Sequence, residues 1–287
     1  MSAYKLYGGI EAGGTKFICG IGSGNGELLD RVIINTTTPE ETLTKVVNYF
    51  NSTNHQVSSL GIGCFGPIDL KKDSENYGTI LETPKDGWKN IHVKNILSNS
   101  LGIPVTIATD TDVATLGEQY SGKATSVSSL VYITIGTGVG GSIVVNNQIV
   151  HGTSHPEIGH MLVPNPANII GTCDYHDSCL EGFVSGRSLQ IRHGKPAEDI
   201  GDIGAWREVA EYISSALVNI LMTLRPEMII LGGSVMKHPG LIKNIQHCVE
   251  KEINGYIQIN DTSELIIHSS SDSIGVLGAI KLASVAT

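Results

Sequence analysis

The chain has 287 residues, enough for one large domain or two of ordinary size with a substantial core. Hydrophobic residues make up 40% and charged residues 16%, which excludes a disordered chain. A net charge of -9 without a basic run argues against nucleic acid or an anionic membrane as partner.

No apolar run is long enough to span a bilayer. Met1-Ser2-Ala3-Tyr4-Lys5 leads straight into a strand-like segment rather than a signal peptide, so a cytoplasmic protein is expected. Leu6 to Ile10 reads as a strand, broken at once by Glu11-Ala12-Gly13-Gly14-Thr15-Lys16. Phe17 to Ile21 and Leu29 to Ile34 are further strands. Pro39 to Phe50 has helical spacing, with Leu43, Val46, Val47 and Phe50 on one face. Leu60 to Phe65 is a short buried strand that stops at Gly66-Pro67. Val105 to Ala108 is another, followed by Thr109-Asp110-Thr111-Asp112 and a helix from Val113 to Tyr120.

The second half begins in the same manner. Strand Leu130 to Ile135 runs into Gly136-Thr137-Gly138-Val139-Gly140-Gly141 and then strand Ser142 to Val145. The repeated order of strand, glycine-rich turn and strand suggests two related halves. Trp206 to Leu224 keeps the three–four apolar spacing of a helix, ended by Pro226. Met228 to Leu231 is a buried strand that ends in Gly232-Gly233. Alternating strands and helices predict an α/β protein with a sheet in each half.

Each glycine turn admits two readings, a plain hairpin or a cradle whose N–H groups converge on a phosphate. In the first, Thr15 and Lys16 would add a hydroxyl and a positive charge. Neither turn matches the Walker pattern or the dinucleotide fingerprint. Together with Gly232-Gly233 they make three backbone-exposing turns at strand ends, where α/β sheets bind ligands. Asp110 and Asp112 stand between a strand and a helix. Asp112, just before the first apolar helical residue, suits a helix cap, which leaves Asp110 as candidate general base.

Five cysteines is an odd number. Cys19, Cys64 and Cys248 lie in apolar stretches and read as small buried hydrophobes. Cys173, His176 and Cys179 recur at three-residue spacing, and His160 can supply a fourth ligand. Two thiolates and two imidazoles suit tetrahedral Zn2+, and a filled shell implies a structural metal. His151 and His155 are spare ligand candidates. Glu157 and Glu181 flank the ligands and could face a polyol, or be solvated acids. Trp88, in the loop after Thr83-Pro84-Lys85, could stack on a sugar ring or anchor the core.

Taken together, these residues resemble the ROK family of sugar kinases and repressors, and within it the bacterial fructokinase branch. The motifs that carry the resemblance appear in order. They run from Gly9-Ile10-Glu11-Ala12-Gly13-Gly14-Thr15-Lys16 through Phe65-Gly66-Pro67-Ile68-Asp69, Thr83-Pro84-Lys85, Gly87-Trp88, Thr109-Asp110 and Ile135 to Gly141. They continue with His155-Pro156-Glu157-Ile158-Gly159-His160, Cys173 to Glu181, and Leu231-Gly232-Gly233-Ser234-Val235-Met236. The resemblance implies a two-lobed actin-like ATPase (ribonuclease H-like) fold, α/β, with a sheet in each lobe. The lobes are expected at 1–115 and 116–287, with a C-terminal helix able to return to the first.

By the same resemblance, MgATP would sit between the halves with its phosphates on Gly13, Gly14, Thr15 and Lys16 and on Thr137 and Gly138. Gly232, Gly233 and Met236 would form part of the adenosine wall. Asp110 would be the general base, Gly66, Pro67, Glu157, His160 and Glu181 would meet the hexose, and His160, Cys173, His176 and Cys179 would hold Zn2+. Glu11 stands where the wider family has Asp near the Mg2+ waters, Asp112 where it has Asn, and His176 where it has Cys. The Thr83-Pro84-Lys85 segment and His176 favour fructose over glucose, mannose or an N-acetyl amino sugar. The family's repressors carry a DNA-binding segment before the first loop, for which this sequence leaves no room. A homodimer is the expectation from base rates.

Overall fold

A computed structural model describes residues 5–83, 85–166 and 168–285. Met1 to Tyr4, Pro84 of the Thr83-Pro84-Lys85 motif and the last two residues lie outside them.

The chain opens with β1 (Leu6–Ala12), β2 (Lys16–Ser23), β3 (Leu28–Asn35), α1 (Pro39–Ser52) and β4 (Val57–Cys64). Next come α2 (Val93–Leu101), β5 (Val105–Thr109) and α3 (Asp110–Ser121). The middle of the chain holds β6 (Leu130–Ile135), β7 (Val139–Val145), β8 (Gln148–Ile149), α4 (Leu180–Val184), α5 (Gly186–His193) and α6 (Ile203–Thr223). Last are β9 (Met228–Gly232), α7 (Leu241–Ile253), α8 (Thr262–Leu265), β10 (Ile266–His268) and α9 (Ile274–Val285). No helix among the described residues is long and apolar enough to cross a membrane.

The elements fall into two compact units. Among the described residues, the first holds those of 5–126, 151–155 and 270–285, and the second those of 127–150 and 156–269. A cut at 115/116 would fall inside α3, so the first unit runs further than the sequence suggests. It also takes in α9 and the short segment His151–His155.

In the first unit the sheet order is β3-β2-β1-β4-β5. β1 pairs antiparallel with β2 and parallel with β4, which pairs parallel with β5. The register sets Ala12 beside Cys64 and Cys64 beside Thr109. Three parallel strands therefore end level, so the turns that follow them share one edge of the sheet, the edge where open α/β sheets bind ligands. Phe17, Ile10, Ile62 and Trp88 are fully buried beneath it. Trp88 packs against Phe17 and Phe65 with ring centroids 5.5 Å away, and its indole N–H donates to the Thr37 carbonyl at 2.8 Å. Burial of this kind contributes roughly 1.5–3 kcal/mol per large apolar side chain. Trp88 is thus a core anchor, not a sugar-stacking ring.

Close approach between α9, β4 and α3 depends on glycine. A Cβ at Gly61 would collide with the Ala279 carbonyl, and one at Gly278 with the Val113 carbonyl. Helix α9 is apolar around most of its circumference, with Ile274, Val276, Ala279, Ile280 and Ala283 all buried.

The second unit has the order β10-β9-β6-β7-β8. β6 and β7 form an antiparallel hairpin, and β6 pairs parallel with β9, setting Thr134 beside Gly232. The turn of the hairpin is only Gly136 to Gly138, because β7 already begins at Val139. The apolar face of α6 covers this sheet: Val209, Ile213, Ala216, Leu217 and Ile220 are buried. Among the cysteines, Cys19 and Cys64 are buried core residues, whereas Cys248 is only half-buried.

Candidate functional site

At the level edge of the first unit, three features meet. The Gly13–Thr15 turn closes when the Gly13 N–H donates to the Lys16 carbonyl at 3.0 Å. Thr36 then fixes it from the side, its Oγ1 donating to the Gly13 carbonyl at 2.7 Å and its N–H to the Thr15 carbonyl at 2.9 Å. The amide of Gly13 therefore serves the turn. Thr15 and Lys16 project into solvent, and space above Gly14 is open. Next along the edge, the cis Gly66-Pro67 peptide follows β4, and the Phe65 N–H donates to the Ala12 carbonyl at 2.8 Å.

Asp110 follows β5 as the first residue of α3. Its Oδ1 accepts the Thr111 N–H at 2.8 Å. Burial pushes its carboxyl up to about 6, Asp112 adds to the rise, and the Thr111 amide and His155 oppose it. The side chain still keeps a solvent-accessible edge.

Asp112 is differently placed. It is 1% exposed. Its Oδ2 lies 2.9 Å from His151 Nε2 and 3.4 Å from the Thr109 N–H. The Asp112 N–H in turn donates to Thr109 Oγ1 at 3.0 Å, completing a capping box. The helix cap is therefore Thr109, not Asp112, and α3 starts three residues earlier than its apolar spacing implies. Asp112 is held in structural contacts and fully buried, while Asp110 keeps partial exposure.

Glu11, next to last in β1, brings a second carboxylate. Its Oε2 is buried without a hydrogen-bond partner. Burial raises its carboxyl to about 7, with the charge of Asp110 adding to the rise, Lys16 opposing it and Asp272 raising it further. A buried, unpartnered carboxylate oxygen beside a second acid is the donor set a hard divalent cation or its bound waters would satisfy.

In the second unit, the Gly136–Gly138 turn is closed by the Gly136 N–H to the Gly138 carbonyl at 2.9 Å. Thr137 and Gly138 are exposed. Gly233, after β9, has φ +94, and a Cβ there would collide with the Ile135 carbonyl, so only glycine fits beside the end of β6. Met236 is 1% exposed and belongs to the core of this unit.

His160, Cys173, His176 and Cys179 bring their ligand atoms within 4.8 Å of one another. Cys173 Sγ lies 3.7 Å from Nδ1 of both His160 and His176. A tetrahedron with Zn–S and Zn–N bonds of ordinary length has edges of about 3.5 Å, so the set fits zinc. Burial pushes the Cys179 thiol up to about 11; the Gly182 amide opposes the rise and the neighbouring Cys173 adds to it. A cation relieves that repulsion by holding both thiols as thiolates. Glu157 is exposed one turn before His160. Glu181 points instead at the glycine turn, its Oε2 accepting the Val139 N–H at 2.8 Å.

The spare histidines have other places. His151 pairs with Asp112, and His155 lies near Asp110 and Gly66. The pairing of His151 with Asp112 spans 39 positions and has no local sequence signal. The capping box did have one, a Thr followed three residues later by Asp.

A family model described as the ROK family matches residues 7–286. A putative fructokinase of Bacillus subtilis is 39% identical over 286 residues, covering 97% of this chain and 95% of that protein. A fructokinase of Lactococcus lactis subsp. cremoris is 41% identical over 263 residues, covering 90% and 88% respectively. Among solved structures, the ROK hexokinase of Thermus thermophilus aligns with a TM-score of 0.82 at 23% identity, covering 98% of each chain. It shares the fold, with a sheet in each of two units.

Proposed function

This chain belongs to the ROK family, and on that premise we propose that it transfers the γ-phosphoryl group of ATP to a hydroxyl of D-fructose, giving fructose 6-phosphate. The observation that carries the reading is the level ending of β1, β4 and β5. It brings the Gly13–Lys16 turn, Gly66-Pro67 and Asp110 to one edge of one sheet.

Asp110 accepts the proton of the sugar hydroxyl as that oxygen bonds to phosphorus and the bond to the ADP oxygen breaks. A carboxyl raised to about 6 is still ionised at neutral pH, yet basic enough to take a proton in the transition state. Gly14, Thr15 and Lys16 hold phosphate oxygens, as do Thr137 and Gly138, while Gly13 keeps its amide for closing the turn. Gly233, which is partly exposed, forms part of the adenosine side, and the buried Gly232 and Met236 shape it from the core. Positioning and charge stabilisation supply most of the rate gain. Mg2+, when bound, would supply charge neutralisation for the phosphoryl transfer, and Glu11 is the residue that would hold its waters.

Zn2+ is assigned to His160, Cys173, His176 and Cys179, as a structural ion that fixes the loop carrying Glu157 and Glu181. Those two acids, with His160, Gly66 and Pro67, contact the sugar. Fructose is favoured by the names of the relatives and by Thr83, Lys85 and His176. A cytoplasmic homodimer completes the proposal.

The test is a panel of hexoses with MgATP, scored by ADP release. Fructose should give the highest kcat/KM. A preference for glucose, mannose or an N-acetyl amino sugar would replace the substrate, and no release with any hexose would end the proposal.

A further inference from the structure

Helix α4 joins the Cys/His cluster to the glycine turn. Cys179 is its N-cap, the thiol accepting the Gly182 N–H at 3.4 Å. Glu181 is two residues further on, with its Oε2 bonded to the Val139 N–H at 2.8 Å. The same oxygen lies against the turn itself, since a Cβ built on Gly138 would stand 2.8 Å from it. The start of α5 takes the other side. The Gly186 N–H donates to the Gly136 carbonyl at 2.7 Å, and the Arg187 N–H to the Thr137 carbonyl at 3.3 Å. At the ligand end, the Thr172 N–H donates to the Gly182 carbonyl at 3.1 Å, which stitches the residue before Cys173 to the same helix.

A five-residue helix has no stability of its own, so its position is set by whatever anchors its ends. One end of α4 is anchored by the Cys/His cluster. In the same first turn, Glu181 carries a charge-assisted bond to the Val139 amide, stronger than a neutral one. We infer that Glu181 is a positioning residue that ties the Cys/His centre to the second glycine turn, so that metal occupancy sets how well residues 136–139 are ordered. Its consequence for ATP rests on reading that turn as a phosphate loop; the tie itself does not. The assignment adds to a role in sugar contact, because one carboxylate oxygen is committed to Val139.

Amide hydrogen exchange on the full chain tests this without relying on turnover. Glu181→Ala removes the acceptor and should speed exchange at Val139 about tenfold. Glu181→Gln keeps an amide oxygen that can accept from Val139, and should stay close to the unmutated protein. Stripping the metal with a chelator should speed exchange across 136–139, and Zn2+ should restore it. With turnover measured in parallel, Glu181→Ala should raise KM for ATP as well as KM for the hexose, whereas loss of a sugar contact alone would raise only the latter. Unchanged exchange at Val139 in Glu181→Ala overturns the tie, and exchange that responds to Glu181→Ala but not to metal removal overturns the coupling. Altered exchange in a protein that phosphorylates no hexose would sink the kinase reading and leave the tie standing.

Discussion

Nε2 of His151 lies 2.9 Å from Oδ2 of Asp112, a carboxylate that is also bonded to the Thr109 N–H and lies two residues from Asp110. That pairing separates the two acids of the Thr109–Asp112 turn. One is spent on holding the start of α3 and the 151–155 segment, and the other stays half-buried with one edge open.

Asp112→Asn should therefore lower activity by no more than about tenfold, since an Asn oxygen still accepts the Thr109 N–H and still meets His151. His151→Ala should cost more stability, about 1–3 kcal/mol, because it strips a partner from a buried carboxylate. Thermal unfolding and turnover of the two variants check this. A loss of turnover in Asp112→Asn as deep as that in Asp110→Asn would contradict the division of roles.

Glu11 has a measurable cost. Its carboxyl is raised from 4.5 to about 7 in the folded chain, chiefly by burial. A raised carboxyl binds its proton more tightly when folded, so stability is full below pH 4.5 and falls as pH rises toward 7. Glu11→Gln should stabilise the metal-free protein at pH 7.5, by at most about 3 kcal/mol, with the gain fading as pH falls to 4.5. The same variant should weaken the dependence of turnover on Mg2+. Denaturant unfolding at several pH values reads the first effect. A gain that does not change with pH would contradict it.

Metal analysis of protein purified without added zinc should give close to one Zn2+ per chain. Cys173→Ser should lower that content and the melting temperature together. A content near zero in folded, active protein would rule out the zinc assignment.

Much of the framework is legible in the sequence because strands that end in glycine turns announce both the strand and its exit. Ile10, Ile62 and Ile135 sit in such runs, and the Cys/His spacing announces the cluster that the fold assembles. Long-range relations are not legible. Neither the 39-residue reach from Asp112 to His151 nor the turn of Glu181 toward Val139 leaves a local pattern. Helix α7 did carry a signal, Leu241, Ile245, Val249 and Ile253 at four-residue spacing, all buried. Helix α9 is harder to see, because apolar residues on nearly every side erase the amphipathic period and Gly275 and Gly278 lower helix propensity. Trp88 was open between two uses until the fold placed it on Phe17 and Phe65.

The central claim is that Asp110 takes the proton from the sugar, and turnover of Asp110→Asn beside its affinity for the hexose tests it most directly. Asn keeps the size and one acceptor but cannot act as a base at neutral pH. The account predicts a fall in kcat of about 10²–10⁴-fold, with hexose binding by calorimetry little changed. Turnover within a few-fold of the unmutated protein would contradict it.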